Sequence, residues 1–251
     1  VLSLQGVLEN TRSAPRARQG VANAGTLASL IDLTNRHKGD NSVLFGQFGA
    51  KPSITAVIDY HRLDHSAQHM KHRIVYAFPV SQEWQAWSER NGTTVAQGEW
   101  AAFVEDRIAD LVSPLDAERS DYERLFQTKI ATPAELVQLS RGMQISVESR
   151  IKDARILQSG ESEIIYEEVH KDGSGQKLIV PGLFVVQIPL FVGGEKVRII
   201  ARLRYRKQDA RIVWFYQLYR ADEVVRDRLE ADLAFVAGET GLPAFEGEPE
   251  K

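Results

Sequence analysis

Lys196–Arg220 reads KVRIIARLRYRKQDARIVWFYQLYR. Val197, Ile199, Ala201, Leu203 and Tyr205 share one parity, and Arg198, Arg202, Arg204 and Arg206 share the other. A period of two marks a strand with one buried and one exposed face. Lys207, Gln208 and Asp209 supply polar turn residues, and a second strand runs from Arg211 to Tyr219. The stretch therefore predicts a β-hairpin with an arginine-rich outer face. A two-residue turn at Gln208-Asp209, or a four-residue loop over residues 207–210, sets Arg204 opposite Val213, Arg202 opposite Phe215 and Arg198 opposite Tyr219. Arginines then interleave with aromatic rings.

Outward from the hairpin, helices and strands come in blocks rather than in strand–helix–strand alternation. That pattern predicts an α+β fold, a mainly antiparallel sheet with helices packed against it. Before the hairpin, strands are expected at residues 54–60, 73–78, 144–147, 155–158, 164–169 and 183–188, with turns at Ser159-Gly160-Glu161 and Gly193-Gly194. Helices are expected over residues 25–37, from Ser81 to the Asn91-Gly92 stop, and from Thr94 to Ser113-Pro114, where Thr94 and Gln97 read as a capping box. Further helices are expected over residues 121–129, from Thr132-Pro133 to Gly142, and over residues 222–236. The chain divides into a basic arm (residues 1–20, with Arg12, Arg16 and Arg18), one α+β domain or two closely packed halves (residues 21–247), and an acidic tail (residues 248–251) expected to be disordered.

Composition narrows the chemistry. The chain has 251 residues, 43% hydrophobic and 26% charged, with a net charge of -3 and no cysteine. The absence of cysteine excludes disulfides, thiolate metal sites and a cysteine nucleophile. The slight acidity means that nucleic-acid binding requires a local basic patch. No apolar run reaches the roughly 20 residues that span a bilayer, and the first residues carry too short an apolar stretch for a signal peptide.

Two constellations are candidates for chemistry. The hairpin face of Arg198, Arg202, Arg204, Arg206, Phe215 and Tyr219 can track phosphates and stack bases, at about 1–3 kcal/mol per stacked base. The same face reads, ahead of nucleic-acid binding, as arginine stems laid over rings on a solvated sheet or paired with Glu163, Glu167 and Glu168, and behind it as a protein interface. His61, His65, His69 and His72 are four of the six histidines and fall within twelve residues. On a helix they would share one face and offer imidazoles to zinc or another divalent metal. Their position between two strands predicts a polar loop instead. Glu99, Glu105, Asp106 and Asp110 read as the solvated face of an amphipathic helix. Gly46-Gln47-Phe48-Gly49 and Gly173-Ser174-Gly175 read as turns and match no phosphate-binding loop. No hydrolase elbow or kinase signature is present.

VYAFPVSQEWQAWSERNG (Val75–Gly92), QGEWAAFVEDRIADLVSP (Gln97–Pro114), SGESEIIYEEVH (Ser159–His170), IPLFVGGEKVRIIARLRYR (Ile188–Arg206) and TGLPAFEG (Thr240–Gly247) occur in this order. As a set they resemble an uncharacterised phage and prophage family typified by the bacterial YfdQ protein, over residues 43–247. The resemblance implies an accessory component of tailed phages, acting in the cytoplasm of a bacterial host or associated with a virion. It carries no catalytic residues and implies no cofactor. Three functions follow as expectations: a non-enzymatic binder of single-stranded nucleic acid, a self-assembling homo-oligomer or protein-interaction component, and a metal-dependent enzyme built on the histidines.

Overall fold

The computed structural model describes residues 18–141, 146–156, 162–171, 180–208 and 211–250. The expected arm up to residue 17 and the turns at Ser159-Gly160-Glu161 and Gly173-Ser174-Gly175 lie outside them. The described elements form an α+β fold with two five-stranded, mostly antiparallel sheets. They belong to two compact units.

The first unit draws on the described parts of Val1–Val80, Phe191–Gly193 and Asp222–Lys251. It contains β1 (Gly20–Asn23), α1 (Leu27–His37), β2 (Val43–Gln47), β3 (Ser53–Val57) and β4 (His72–Ala77). Its sheet has the order β1-β4-β3-β2, closed at the far edge by a short strand, Ala244–Glu246. The β1–β4 pair and the pair of that last strand with β2 are parallel; the inner pairs are antiparallel. Leu44, Ile54, Ala56, Ile74 and Tyr76 are buried on one face. Gly46 sits in β2 rather than in the expected turn. A Cβ there would meet Leu233 Cδ2 at 2.7 Å and the Phe48 ring at 2.9 Å, so the close helix–sheet approach requires a glycine. The acidic ending makes contacts with the sheet and the loop after β3. Glu248 accepts from the Gln47 side-chain amide, Tyr60 donates to Glu250 at 3.1 Å, and Arg73 donates to the Glu250 carbonyl.

The second unit draws on the described parts of Ser81–Leu190 and Gly194–Ala221. α2 (Gln82–Glu89) starts at Ser81, whose hydroxyl accepts from Trp84 N–H at 2.9 Å. β5 (Val95–Ala96) replaces the expected capping box. Val95 and Ala96 pair with Trp214 and Val213, so the ladder outcompetes a cap at Thr94, and α3 (Gln97–Asp106) begins without a side-chain cap. β6 (Leu111–Val112) follows, then a helical run of an α turn (Asp116–Glu118), a π turn (Arg119–Glu123) and a second α turn (Arg124–Phe126). α4 (Pro133–Ser140) carries the expected cap: Thr132 Oγ1 accepts from Glu135 N–H, and the Glu135 carboxylate accepts from Thr132 N–H at 2.7 Å.

β7 (Ser146–Ile156) and β8 (Ser162–Lys171) form a separate two-stranded ribbon. The described residues of the two strands expected at 144–147 and 155–158 thus fall in one strand, with a register shift between Ile151 and Asp153. β9 (Leu183–Pro189), β10 (Lys196–Gln208) and β11 (Arg211–Leu218) complete the main sheet, in the order β5-β11-β10-β9-β6. One face of this sheet packs an aromatic core. Trp87 lies 4.8 Å from Phe103 and 5.2 Å from Tyr216, and Trp100 lies 5.9 Å from Tyr216, ring to ring. Tyr216 donates to the Trp87 carbonyl at 2.6 Å, and Trp87 Nε1 donates to Asp110 at 2.8 Å. After the hairpin the chain re-enters the first unit as α5 (Ala221–Thr240) and ends in β12, the edge strand Ala244–Glu246.

Candidate interaction surface

The hairpin forms with the alternation that its sequence dictates, but its register differs from the expected one. Arg206 pairs with Val213, Arg204 with Phe215 and Arg202 with Gln217, and the last pair is Gln208 with Arg211. The pairing is displaced by two residues. A shift of two keeps every side chain on its face, whereas a shift of one would invert the hairpin. The arginines therefore still share a face with Phe215 and Tyr219.

That face is not open along its length. Arg198 is held by Glu118 through two parallel bonds, Nε to Oε1 and Nη2 to Oε2, each 2.7 Å. Arg198 Nη2 also donates to the Ser113 carbonyl at 2.9 Å, and Nη1 reaches Gln187 Oε1 at 3.4 Å. Burial pushes the Glu118 carboxyl up, but the Arg198 hydrogen bond, the Leu115 N–H and the Arg198 charge outweigh it and hold it below the ordinary value. Its hydrogen bond to Glu118 raises Arg198. The Arg202 guanidinium lies 4.8 Å from the centre of the Phe126 ring. Tyr219 meets Phe126 edge-on at 5.0 Å. Beneath them Ile130, Leu183, Val185 and Ile200 are buried together. The helical run thus covers the proximal half of the expected outer face. Arg198, Arg202 and Tyr219 all pack against residues 113–126 of their own unit.

The distal half differs. β9 reaches its last pair at Leu183 with Arg202, so among the described residues β10 from Arg204 onward pairs with β11 alone. Arg204 and Arg206 are exposed there and Phe215 is half-buried. The helix partner Glu118 was missed from sequence. Glu118, Tyr122 and Phe126 recur every four residues and share a face, a spacing that signals a packed helix face but not its partner. Glu163, Glu167 and Glu168 lie in β8, opposite Arg155, Arg150 and Ser149 in the backbone ladder.

The histidines are not brought together as a ligand set. Residues 58–71 form a loop, and His72 opens β4. His61 Nδ1 accepts from Gln68 N–H at 3.1 Å, His65 takes φ 66°, His69 is exposed and the His72 ring contacts His37 at 5.2 Å. Among the described residues no three His, Asp or Glu side chains are placed to hold a metal ion. Of the carboxylates on and after α3, Asp110 is buried on Trp87, Glu105 pairs with Arg141 at 2.6 Å, and Glu99 and Asp106 are exposed. No described helix is long and apolar enough to cross a membrane.

Fold and surface together define an α+β protein whose arginine row is half covered by a helical run and half exposed at a hairpin end. The chain belongs to the family described as an uncharacterised conserved protein (DUF2303), whose model matches residues 5–249. No curated protein matches it, and no solved structure matches it.

Proposed function

We propose that this chain is a non-enzymatic assembly protein that associates with further copies of itself through unpaired β-edges. The observation that carries the reading is the β7–β8 ribbon. Its strands are 11 and 10 residues long and pair with each other but, among the described residues, with neither five-stranded sheet. An isolated two-stranded ribbon is marginal in water, and each of its edges presents unpaired N–H and C=O groups to another chain. Closed symmetric association through such edges is the common outcome for identical chains. The resemblance to phage and prophage proteins supports a role in a bacterial cell or a virion.

The test is light scattering across a dilution series together with amide hydrogen exchange of residues 146–171. Protection there should fall as the oligomer dissociates. Ser149→Pro and Arg150→Pro provide the control, because adjacent strand N–H groups point to opposite edges and one of the two removes an outward donor. A strict monomer at micromolar concentration, or assembly indifferent to both prolines, overturns the reading.

A second reading rests on the exposed Arg204, Arg206 and Phe215. They offer two cations and a ring to a short single strand of nucleic acid. Fluorescence anisotropy with labelled single-stranded DNA should show binding that weakens with salt and is lost in R204E/R206E. No binding at low salt removes this reading and leaves the first intact.

A further inference from the structure

The histidine loop forms a wall of a cavity in the first unit. About 800 Å³ opens at the end of the sheet where β2 and β12 begin. That volume suits a small organic ligand. The lining sets Tyr60, His61, Leu63 and Phe245 beside two carboxylates, Asp40 and Asp64. The rings continue as a row: His61 to Tyr60 at 5.4 Å, Tyr60 to Phe45 at 5.6 Å, and Phe45 to Phe245 at 5.7 Å. Asp64 accepts from the Ser66 hydroxyl and N–H at 2.6 and 2.9 Å, which favours its charged form.

Three neutral donors of the lining are already engaged. Asn41 donates its side-chain amide to the Tyr60 carbonyl, Ser42 donates to the Ile58 carbonyl, and Tyr60 donates to Glu250. Arg62 is the one cation of the lining against two carboxylates. Ring faces and carboxylates both attract positive charge, and the apolar wall suits an alkyl stem. We propose that this cavity binds an organic cation on a slender stem, a guanidinium or primary ammonium, supplied either free or as an arginine side chain.

Calorimetric titration of the full chain tests this with two probes. Agmatine stands for the free cation, and the peptide VLENTRSAPRARQ, the sequence of residues 7–19, stands for the polypeptide source. Saturable one-to-one binding is expected. D40N/D64N should weaken it about tenfold, and Tyr60→Leu several-fold, the size of one cation–π contact. Asp106→Asn, on the exposed face of α3, should leave it unchanged. Tighter binding of the peptide, with displacement of agmatine, assigns the site to arginine side chains; binding of agmatine alone assigns it to free cations. No saturable heat up to about 10 mM of either probe overturns the proposal. So does unchanged affinity in D40N/D64N, or equal binding of the anion benzoate.

Discussion

Glu118→Ala should destabilise the second unit without touching the exposed end of the hairpin. The pair that it breaks is 25% and 14% exposed at Arg198 and Glu118, and two 2.7 Å bonds join a guanidinium fork to a carboxylate. The gross attraction of unit charges about 4 Å apart is ~4 kcal/mol at an effective dielectric of 20. Desolvation of both groups and the residual solvent access of Arg198 offset much of it, which leaves a net coupling of about 1–2 kcal/mol. A double-mutant cycle of E118A and R198A in urea should therefore return about 1–2 kcal/mol of interaction free energy. The pH dependence has a definite sign. The Glu118 carboxyl sits below its ordinary value in the folded state, so its contribution is complete above the unfolded pKa and is lost as pH falls through the folded one. Stability should fall toward acid less steeply in E118A than in the parent. A coupling below about 0.3 kcal/mol, or an identical acid slope, would refute the assignment of Arg198 as an internal partner.

Other residues give sharper local tests. Tyr216→Phe should cost about 1–2 kcal/mol in chemical denaturation, because it leaves the buried Trp87 carbonyl without its 2.6 Å donor. Gly182→Ala should cost about 1–3 kcal/mol: the added methyl would lie 2.7 Å from Thr128 Oγ1, which cannot rotate away without losing its 3.0 Å bond from Gly182 N–H. Thr132→Ala should remove the cap of α4 and cost about 1 kcal/mol, read from the same urea midpoints.

Much of the fold was legible because its signals are local. The alternation of β10, the Ser81 and Thr132 caps and the Asn91-Gly92 stop each follow from a few adjacent residues. Asn91 and Gly92 also show why a stop signal carries more than a helix end: Asn91 Oδ1 accepts from Leu218 N–H and Gly92 N–H donates to Tyr216, so the turn completes the edge of β11. Illegible were the two-residue strands β5 and β6, too short for any period to register. The hairpin register escaped for another reason: parity is preserved by any even shift, so periodicity selects a face and not a partner. The cover over Arg198 depends on Glu118, 80 residues away, and no local pattern announces such a meeting. His61, His65, His69 and His72 looked like a set only on a helical spacing that the loop does not adopt.

The split of the arginine row has a physical consequence for any activity of this surface. A guanidinium already held by a carboxylate fork, or laid on a ring above a buried cluster, can engage a new anion only by giving up those contacts. Arg198 and Arg202 therefore contribute to folding, and their charges are largely committed before any partner arrives. Arg204 and Arg206 lie past the end of β9, where among the described residues the strand has one neighbour instead of two and the two side chains are exposed. Substitutions at the two ends of one strand should then separate cleanly. Changes at Arg198 shift denaturation midpoints and leave association alone, while changes at Arg204 and Arg206 alter association and leave the midpoints alone. Substitutions at Arg198 and Arg206 that moved both properties together would mean that the helical run over residues 116–126 and the hairpin end act as one surface, and that the cover over Arg198 opens when a partner binds.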